Sequence, residues 1–201
     1  MKIFFTADTH FGSERHLELS KRPFKDVNEM DRTMIRRWNR VVGKNDIVYH
    51  LGDFGDAETV LQLNGKIFMV MGNYETGKKG SECVRKLRPY VGFMPSKAII
   101  KVPLTPPTYK EDDDGEVVMI GKLPETVNVQ LVHEPSKAEN LADSFILFGH
   151  IHKLQMVKRN GLNVGVDCHN YTPVELGDVL FWRNAILNHY DEEVFLPKVG
   201  M

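Results

Sequence analysis

Five short apolar runs in this chain each end within three residues of a side chain that can bind a hard or borderline cation. Residues 3–7 lead into Asp8-Thr9-His10, 47–51 into Gly52-Asp53, 67–71 into Gly72-Asn73, 129–132 into His133, and 145–148 into Gly149-His150-Ile151-His152. Sheets gather their active sites at the carboxyl ends of strands, so tips that lie far apart in sequence can meet in space. The collected donors are two carboxylates, one amide and four imidazoles, more than one ordinary divalent ion needs, and they imply two ions. With no thiolate in the set, manganese, iron, nickel, cobalt or zinc in a nitrogen and oxygen environment fits better than a structural zinc site. Any one of these residues by itself is as well explained as a cap or a loop contact. Seven of them, buried together without cations, would carry a large desolvation cost. A glycine before Asp53, Asn73 and His150 permits a positive φ or a close backbone approach where the chain leaves a strand.

The runs that must position these residues read as β-strands by their length and their Val, Ile and Phe content. Further strand candidates are 98–102, 117–120 and 162–166. The clearest helix starts at Asp26, where Asp26 and Glu29 have capping-box spacing, and carries Met30, Met34, Trp38 and Val41 on one face before Gly43. Arg32, Arg36 and Arg40 share the other side, which reads as solvated surface ahead of a phosphate-binding stripe. A second helix is expected over 174–187, after Pro173. Strand, helix, strand, short helix, strand is the order of crossover units, so the first half is expected to form a largely parallel sheet within a mixed α/β fold. Residues 103–115, with Pro106-Pro107 and Asp112-Asp113-Asp114, read as an exposed loop or hairpin.

The chain has 201 residues, which suits a single domain over 1–201. Its 26 basic and 27 acidic residues give a formal charge of -1, which supplies no global field for nucleic acid or an anionic membrane. Two cysteines, Cys83 and Cys168, make neither a disulfide framework nor a four-thiolate site, and a reducing cytoplasm is the natural setting. No run reaches the roughly 18 apolar residues of a membrane helix. The sequence carries no sign of an oligomeric state.

Asp8-x-His10, Gly52-Asp53, Gly72-Asn73-x-Glu75, His133 and Gly149-His150-x-His152 together resemble the ordered signature of calcineurin-like metallophosphoesterases. The similarity covers about residues 1–170, and the stretch from Asp8 through Arg22-Pro23-Phe24 to Gly52-Asp53 looks like a small bacterial and phage branch. The resemblance implies a four-layer α/β fold, two facing mixed β-sheets flanked by helices. It also implies that Asp8, His10, Asp53 and His152 hold one ion, that Asp53, Asn73, His133 and His150 hold the other, and that Asp53 bridges them. The implied reaction is hydrolysis of a phosphate ester by attack of a metal-bridging hydroxide, with both ions and Asn73 stabilising the developing charge. Manganese leads the implied ions, with iron, nickel, cobalt or zinc as the other candidates.

One departure bears on the chemistry. Many members carry a histidine where this chain has Tyr74, and a phenol with a reference pKa near 10 is a poor proton shuttle at neutral pH. Small relatives without that histidine tend toward diesters or modest general activity, so a diester or an activated ester is the expected substrate, either a small molecule or a nucleotide. Tyr74 and His16 are candidates to replace the missing acid, while a solvent-facing helix start is the simpler reading of His16. Glu75 is expected either to accept a hydrogen bond from a ligand imidazole or to form a surface ion pair. His50 reads as hydrogen-bonded packing, His169 as a residue near the rim and His189 as surface. Arg15, Arg22, Lys78 and Lys79 adjoin the motifs and are either phosphate contacts or solvated loop residues. Two readings compete with the phosphoesterase: a metal-binding interaction module of the same fold with little turnover, and a nucleic-acid protein. The second lacks a basic surface or aromatic residues interleaved with one.

Overall fold

The computed structural model describes residues 1–77, 80–105, 108–111, 114–120, 124–141 and 143–189. The elements in chain order are β1 (Ile3–Thr6), α1 (Glu14–Leu19), α2 (Val27–Val41), β2 (Ile47–His50), β3 (Lys66–Val70), α3 (Asn73–Thr76), α4 (Gly80–Leu87), β4 (Val91–Met94), β5 (Lys97–Pro103), β6 (Thr108–Glu111), β7 (Val117–Ile120), β8 (Thr126–Val132), β9 (Ser144–Phe148), β10 (Val157–Lys158), β11 (Gly161–Asn163), β12 (Val174–Glu175) and α5 (Leu176–His189), joined by short 3-10 turns. One five-stranded sheet has the order β12-β1-β2-β3-β4, and a second has the order β10-β11-β9-β8-β5. The first is parallel from β1 to β4, with β12 antiparallel at its edge. The second keeps β8, β9 and β11 parallel and sets β5 and β10 antiparallel. The fold is therefore α/β, two mixed sheets with helices on their flanks.

Alternation along the strands explains why two sheets are needed. Phe5, Ala7, Leu51 and Val70 point to one side of the first sheet and pack with Val129, Leu131, Phe145, Leu147 and Leu162 of the second. Their neighbours Phe4, Val48, Ile67 and Met69 point to the other side, where α2 lays down Met30, Met34 and Trp38. Helix α2 starts where the sequence predicts: Asp26 accepts the Glu29 amide at 2.8 Å, and Glu29 reaches back to the Lys25 amide at 2.8 Å. Arg32, Arg36 and Arg40 are exposed, as the solvated reading holds. Helix α5 inserts Val179 and Ile186 into the layer between the sheets. The outer face of the second sheet carries a smaller cluster, Val132, Ile146 and Phe148, with Ala138 and Ile151 against it.

Several boundaries differ from the sequence expectation. Val174 and Glu175 belong to β12, paired with Phe5 and Phe4, so the last helix begins at Leu176. Residues this close to an edge have no periodicity of their own, and pairing decides their state. The strand expected over 162–166 stops at Asn163, and Gly165 then bridges to Ala7, stitching the two sheets together at the site end. Strands β10 and β12 have 2 residues each, too few to show a period in sequence, while β4 falls where the sequence marks no strand and β6 within the expected loop or hairpin. Within 103–115, β6 pairs with β7 as a hairpin, while Pro106, Pro107, Asp112 and Asp113 lie outside the described residues.

Trp38 is buried and donates its indole N–H to the Asn64 carbonyl at 2.9 Å. Trp38→Ala should lower stability by about 3–5 kcal/mol, measured as a fall in the urea midpoint with an unchanged slope.

Candidate metal centre

Register brings the strand tips level. Thr6 sits beside His50 and His50 beside Met69 across the parallel first sheet, and Leu131 sits beside Leu147 in the second. The loops leaving these strands are then tied to one another through backbone: the Asp8 amide donates to the Gly52 carbonyl and the Gly149 amide to the His133 carbonyl, each at 3.0 Å. Five of the seven candidate ligands have left-handed backbone, Asp8, His10, Asp53, His150 and His152, with φ between 47° and 73°. Such conformations are uncommon outside glycine and gather where surrounding structure enforces a working geometry. The glycines contribute differently from one another. Gly52 has φ 93°, whereas Gly149 is there for space, since a Cβ at that position would lie 2.6 Å from an Asp8 carboxylate oxygen.

Asp53 lies at the centre. Its Oδ1 accepts the Tyr74 amide at 3.0 Å, and its Oδ2 lies 3.6 Å from His10 Nε2 on one side and 3.4 Å from His133 Nε2 on the other. His133 Nε2 is also 2.9 Å from Asn73 Oδ1 and 3.2 Å from His150 Nδ1, while its Nδ1 donates to the Leu51 carbonyl at 2.8 Å. That far-side hydrogen bond leaves Nε2 as the nitrogen turned into the cluster. Asp8 is fully buried and accepts the His150 amide with both oxygens at 3.0 and 2.9 Å. The ligating atoms of Asp8, His10 and Asp53 lie within 4.8 Å of one another, as do those of Asp53, His133 and His150, and those of His10, His16 and His152.

One buried atom tests whether these donors fit a cation. His10 Nε2 is buried and has no hydrogen-bond partner among the described residues, although it lies 3.6 Å from the Asp53 carboxylate. A polar nitrogen left unpaired in such a place normally costs free energy, unless something outside the protein occupies it. The electrostatics agree. Burial pushes Asp8 up to about 6 against the pull of His133. Burial opposes charge on His133 too, but the Asp53 hydrogen bond and the Asp8 and Asp53 carboxylates outweigh it and raise the imidazole to about 9. His10 is held well below its usual range by burial and by neighbouring His16 and Arg22. The cluster is thus short of positive charge on the Asp8 and Asp53 side, where one protonated imidazole serves two carboxylates.

The calcineurin-like phosphoesterase superfamily domain matches residues 1–181. The chain belongs to that superfamily. An uncharacterized protein of Methanocaldococcus jannaschii is 30% identical over 191 residues, covering 87% of each chain. The gene 66 protein of Mycobacterium phage L5 is 33% identical over 81 residues, covering 36% of this chain and 39% of its own. A solved protein of unknown function from Aquifex aeolicus shares the fold at a TM-score of 0.59 and 19% identity, over 89% of this chain and 97% of its own. As a calcineurin-like domain with His and Asp groups able to hold metal, the chain is a metal-dependent phosphoesterase at the level of its superfamily.

Several residues of this calcineurin-like site differ from expectation. Among the described residues Glu75 pairs with neither an imidazole nor a surface cation; it is buried and accepts the backbone amides of Asp53, Phe54 and Gly72 at 2.8–2.9 Å. Its carboxylate thereby clamps the second strand-end loop to the third. Arg22 is neither solvated nor free for phosphate, because its guanidinium is buried against the Asp8 and Thr9 carbonyls and Asp167. His16 is a buried residue of α1, not a solvent-facing one; its ring stacks on His10 with centroids 3.5 Å apart, and burial lowers its pKa to about 4. Its Nδ1 meets Ser13 Oγ at 2.7 Å and its Nε2 meets the Tyr74 hydroxyl at 3.4 Å. His50 is buried and hydrogen-bonded to Thr9 Oγ1, and His169 hydrogen-bonds the Asn163 carbonyl. Arg15 is exposed, while Lys78, Lys79 and the His189 side chain lie outside the described residues. Asp167, 2.7 Å from His152 Nδ1, went unmarked in the sequence reading. The signal was present, since Asp167 closes the apolar run 162–166 just as Asp53 and His133 close theirs.

Two outcomes follow from these contacts. Glu75→Gln turns an amide N–H toward a backbone N–H and should cost about 1.5–3 kcal/mol in urea unfolding, with weaker metal uptake. His133, raised to about 9, is protonated at pH 7 without metal, so a cation on Nε2 must displace that proton. Manganese binding should therefore release a proton at pH 7 and weaken as pH falls; calorimetric heats that do not vary with buffer ionisation enthalpy would contradict this.

Proposed function

We propose that the chain hydrolyses phosphate esters, diesters ahead of monoesters, with two divalent ions in this centre. The observation that carries the proposal is the unpaired, buried His10 Nε2 facing Asp53, with Asn73, His133 and His150 on the far side of the same carboxylate. In this reading Asp8, His10, Asp53 and His152 hold one ion and Asp53, Asn73, His133 and His150 the other. Manganese is favoured because oxygen donors from Asp8, Asp53 and Asn73 stand beside the imidazoles. Bound there, the ions supply Lewis acidity toward a phosphate oxygen and lower the pKa of water.

The chain's own groups set the rest. Asn73, Tyr74 and His150 are exposed while Asp8, His10, Asp53 and His133 are buried, so substrate approaches from the Asn73 side. The Asn73 carboxamide, its oxygen turned to the imidazoles, keeps its N–H groups for a phosphate oxygen. His16, its pKa lowered to about 4, is neutral at pH 7 and buried with its nitrogens against Ser13 and Tyr74, so it acts through the exposed Tyr74 phenol, which offers the departing group a hydrogen bond. That arrangement suits diesters and activated esters with good leaving groups, drawn from small molecules or nucleotides. An imidazole beside Tyr74 also supports turnover over the competing role as a metal-binding module. The two free cysteines suit work in a reducing cytoplasm, and no helix among the described residues is long and apolar enough to cross a membrane.

With manganese added, turnover of bis-p-nitrophenyl phosphate should exceed that of the monoester, and Asp53→Asn should abolish both. A strong monoester preference would overturn the diester assignment, and metal binding without hydrolysis across a broad panel of phosphoesters would favour the module.

A further inference from the structure

Beneath the centre lies a buried pair that the metal assignment does not use. The side chains of Arg22 and Asp167 are both fully buried. Arg22 Nε and Nη2 each donate to an Asp167 oxygen at 2.9 Å, and Asp167 Oδ2 lies 2.7 Å from His152 Nδ1. Ser20 Oγ lies 3.1 Å from the same nitrogen. The guanidinium has donors left over, and they go to the Asp8 carbonyl at 2.7 Å and the Thr9 carbonyl at 2.9 Å, with Nη1 3.4 Å from Met30 Sδ. One planar fork thus fixes the backbone of the loop that carries Asp8 and His10 and also holds the carboxylate that grips His152.

Resting on the metal reading above, we infer that Asp167, held by Arg22, is a positioning residue that keeps the proton of His152 on Nδ1 and turns Nε2 to the first cation. A carboxylate on the far nitrogen of a ligand imidazole fixes its tautomer, orients the ring and makes the free nitrogen a better donor. Chemistry alone does not require the ion pair, since buried pairs can often be exchanged for apolar side chains without loss of stability. What distinguishes this pair is where its other bonds go: Arg22 to the Asp8 and Thr9 carbonyls and Asp167 to His152, so that one pair braces both loops of the first cation site. Arg22 also balances the charge of Asp167, so His152 gains a carboxylate partner without adding net negative charge beside Asp8 and Asp53. His133 differs, holding its far nitrogen against the Leu51 carbonyl at 2.8 Å.

The test needs no substrate. In the full-length protein with 15N-labelled histidine, loaded with zinc, long-range 1H–15N correlation should show His152 protonated at Nδ1 and zinc-shifted at Nε2. Asp167→Asn should weaken the first zinc site about 10- to 100-fold in stepwise calorimetry and leave the second unchanged, a split that a general loss of stability would not produce. Zinc on His152 Nδ1, or equal loss or no loss at the two sites, would overturn the positioning role while leaving the metal reading intact. Failure of the native protein to take up zinc or manganese would overturn both. Should Asp167→Asn not fold, the measurement on the native protein still decides.

Discussion

Asp8 and Asp53 are both buried within reach of one imidazole, His133, and that crowding of negative charge sets the terms for everything around it. Carboxylates removed from water must be neutralised, hydrogen-bonded or paired, and the protein supplies each of these only in part. His133 gives up ordinary histidine behaviour to stay charged between them, and Asp8 becomes harder to ionise. His10, packed against the Asp53 carboxylate, is left with a nitrogen that nothing among the described residues satisfies. The demand for more positive charge is a property of the cluster, and the cations that the superfamily's chemistry calls for would answer it.

Holding that arrangement costs conformational freedom, and the protein spreads the restraint over backbone contacts. Five candidate ligands adopt left-handed backbone, which places each side chain across the strand ends and out of the continuing pleat. Glu75 binds three backbone amides across two loops, and Arg22 binds two backbone carbonyls across a third. Neither contacts a cation position. Both keep loops from relaxing into the ordinary conformations that would disperse the ligands.

The centre is asymmetric in burial. The Asp8 and His10 side is closed by α1 and the stacked His16 ring, while the Asn73 and His150 side is open to solvent. The exposed donors thus stand between solvent and the buried carboxylates. The solved Aquifex protein keeps this fold at 19% identity, so the fold itself tolerates wide divergence of sequence. Tyr74 lies on that open side.

Sequence by itself determined the strands that bear ligands, the α2 helix and its cap, and the motif order that marks the superfamily. These are local matters: period-two burial, a side chain closing on an amide three residues away, and donor types at strand ends. Short edge strands such as β10 and β12 were decided by pairing partners, because two residues carry no period. The contacts of Glu75, Arg22, His16 and Asp167 were likewise decided in three dimensions. Each is a polar residue whose meaning depends on what lies 3 Å away and as many as 145 positions along the chain, as between Arg22 and Asp167. Charge and hydrogen bonding act through space, so a sequence can announce which side chains are capable of chemistry, and only packing chooses which of them hold the others in place.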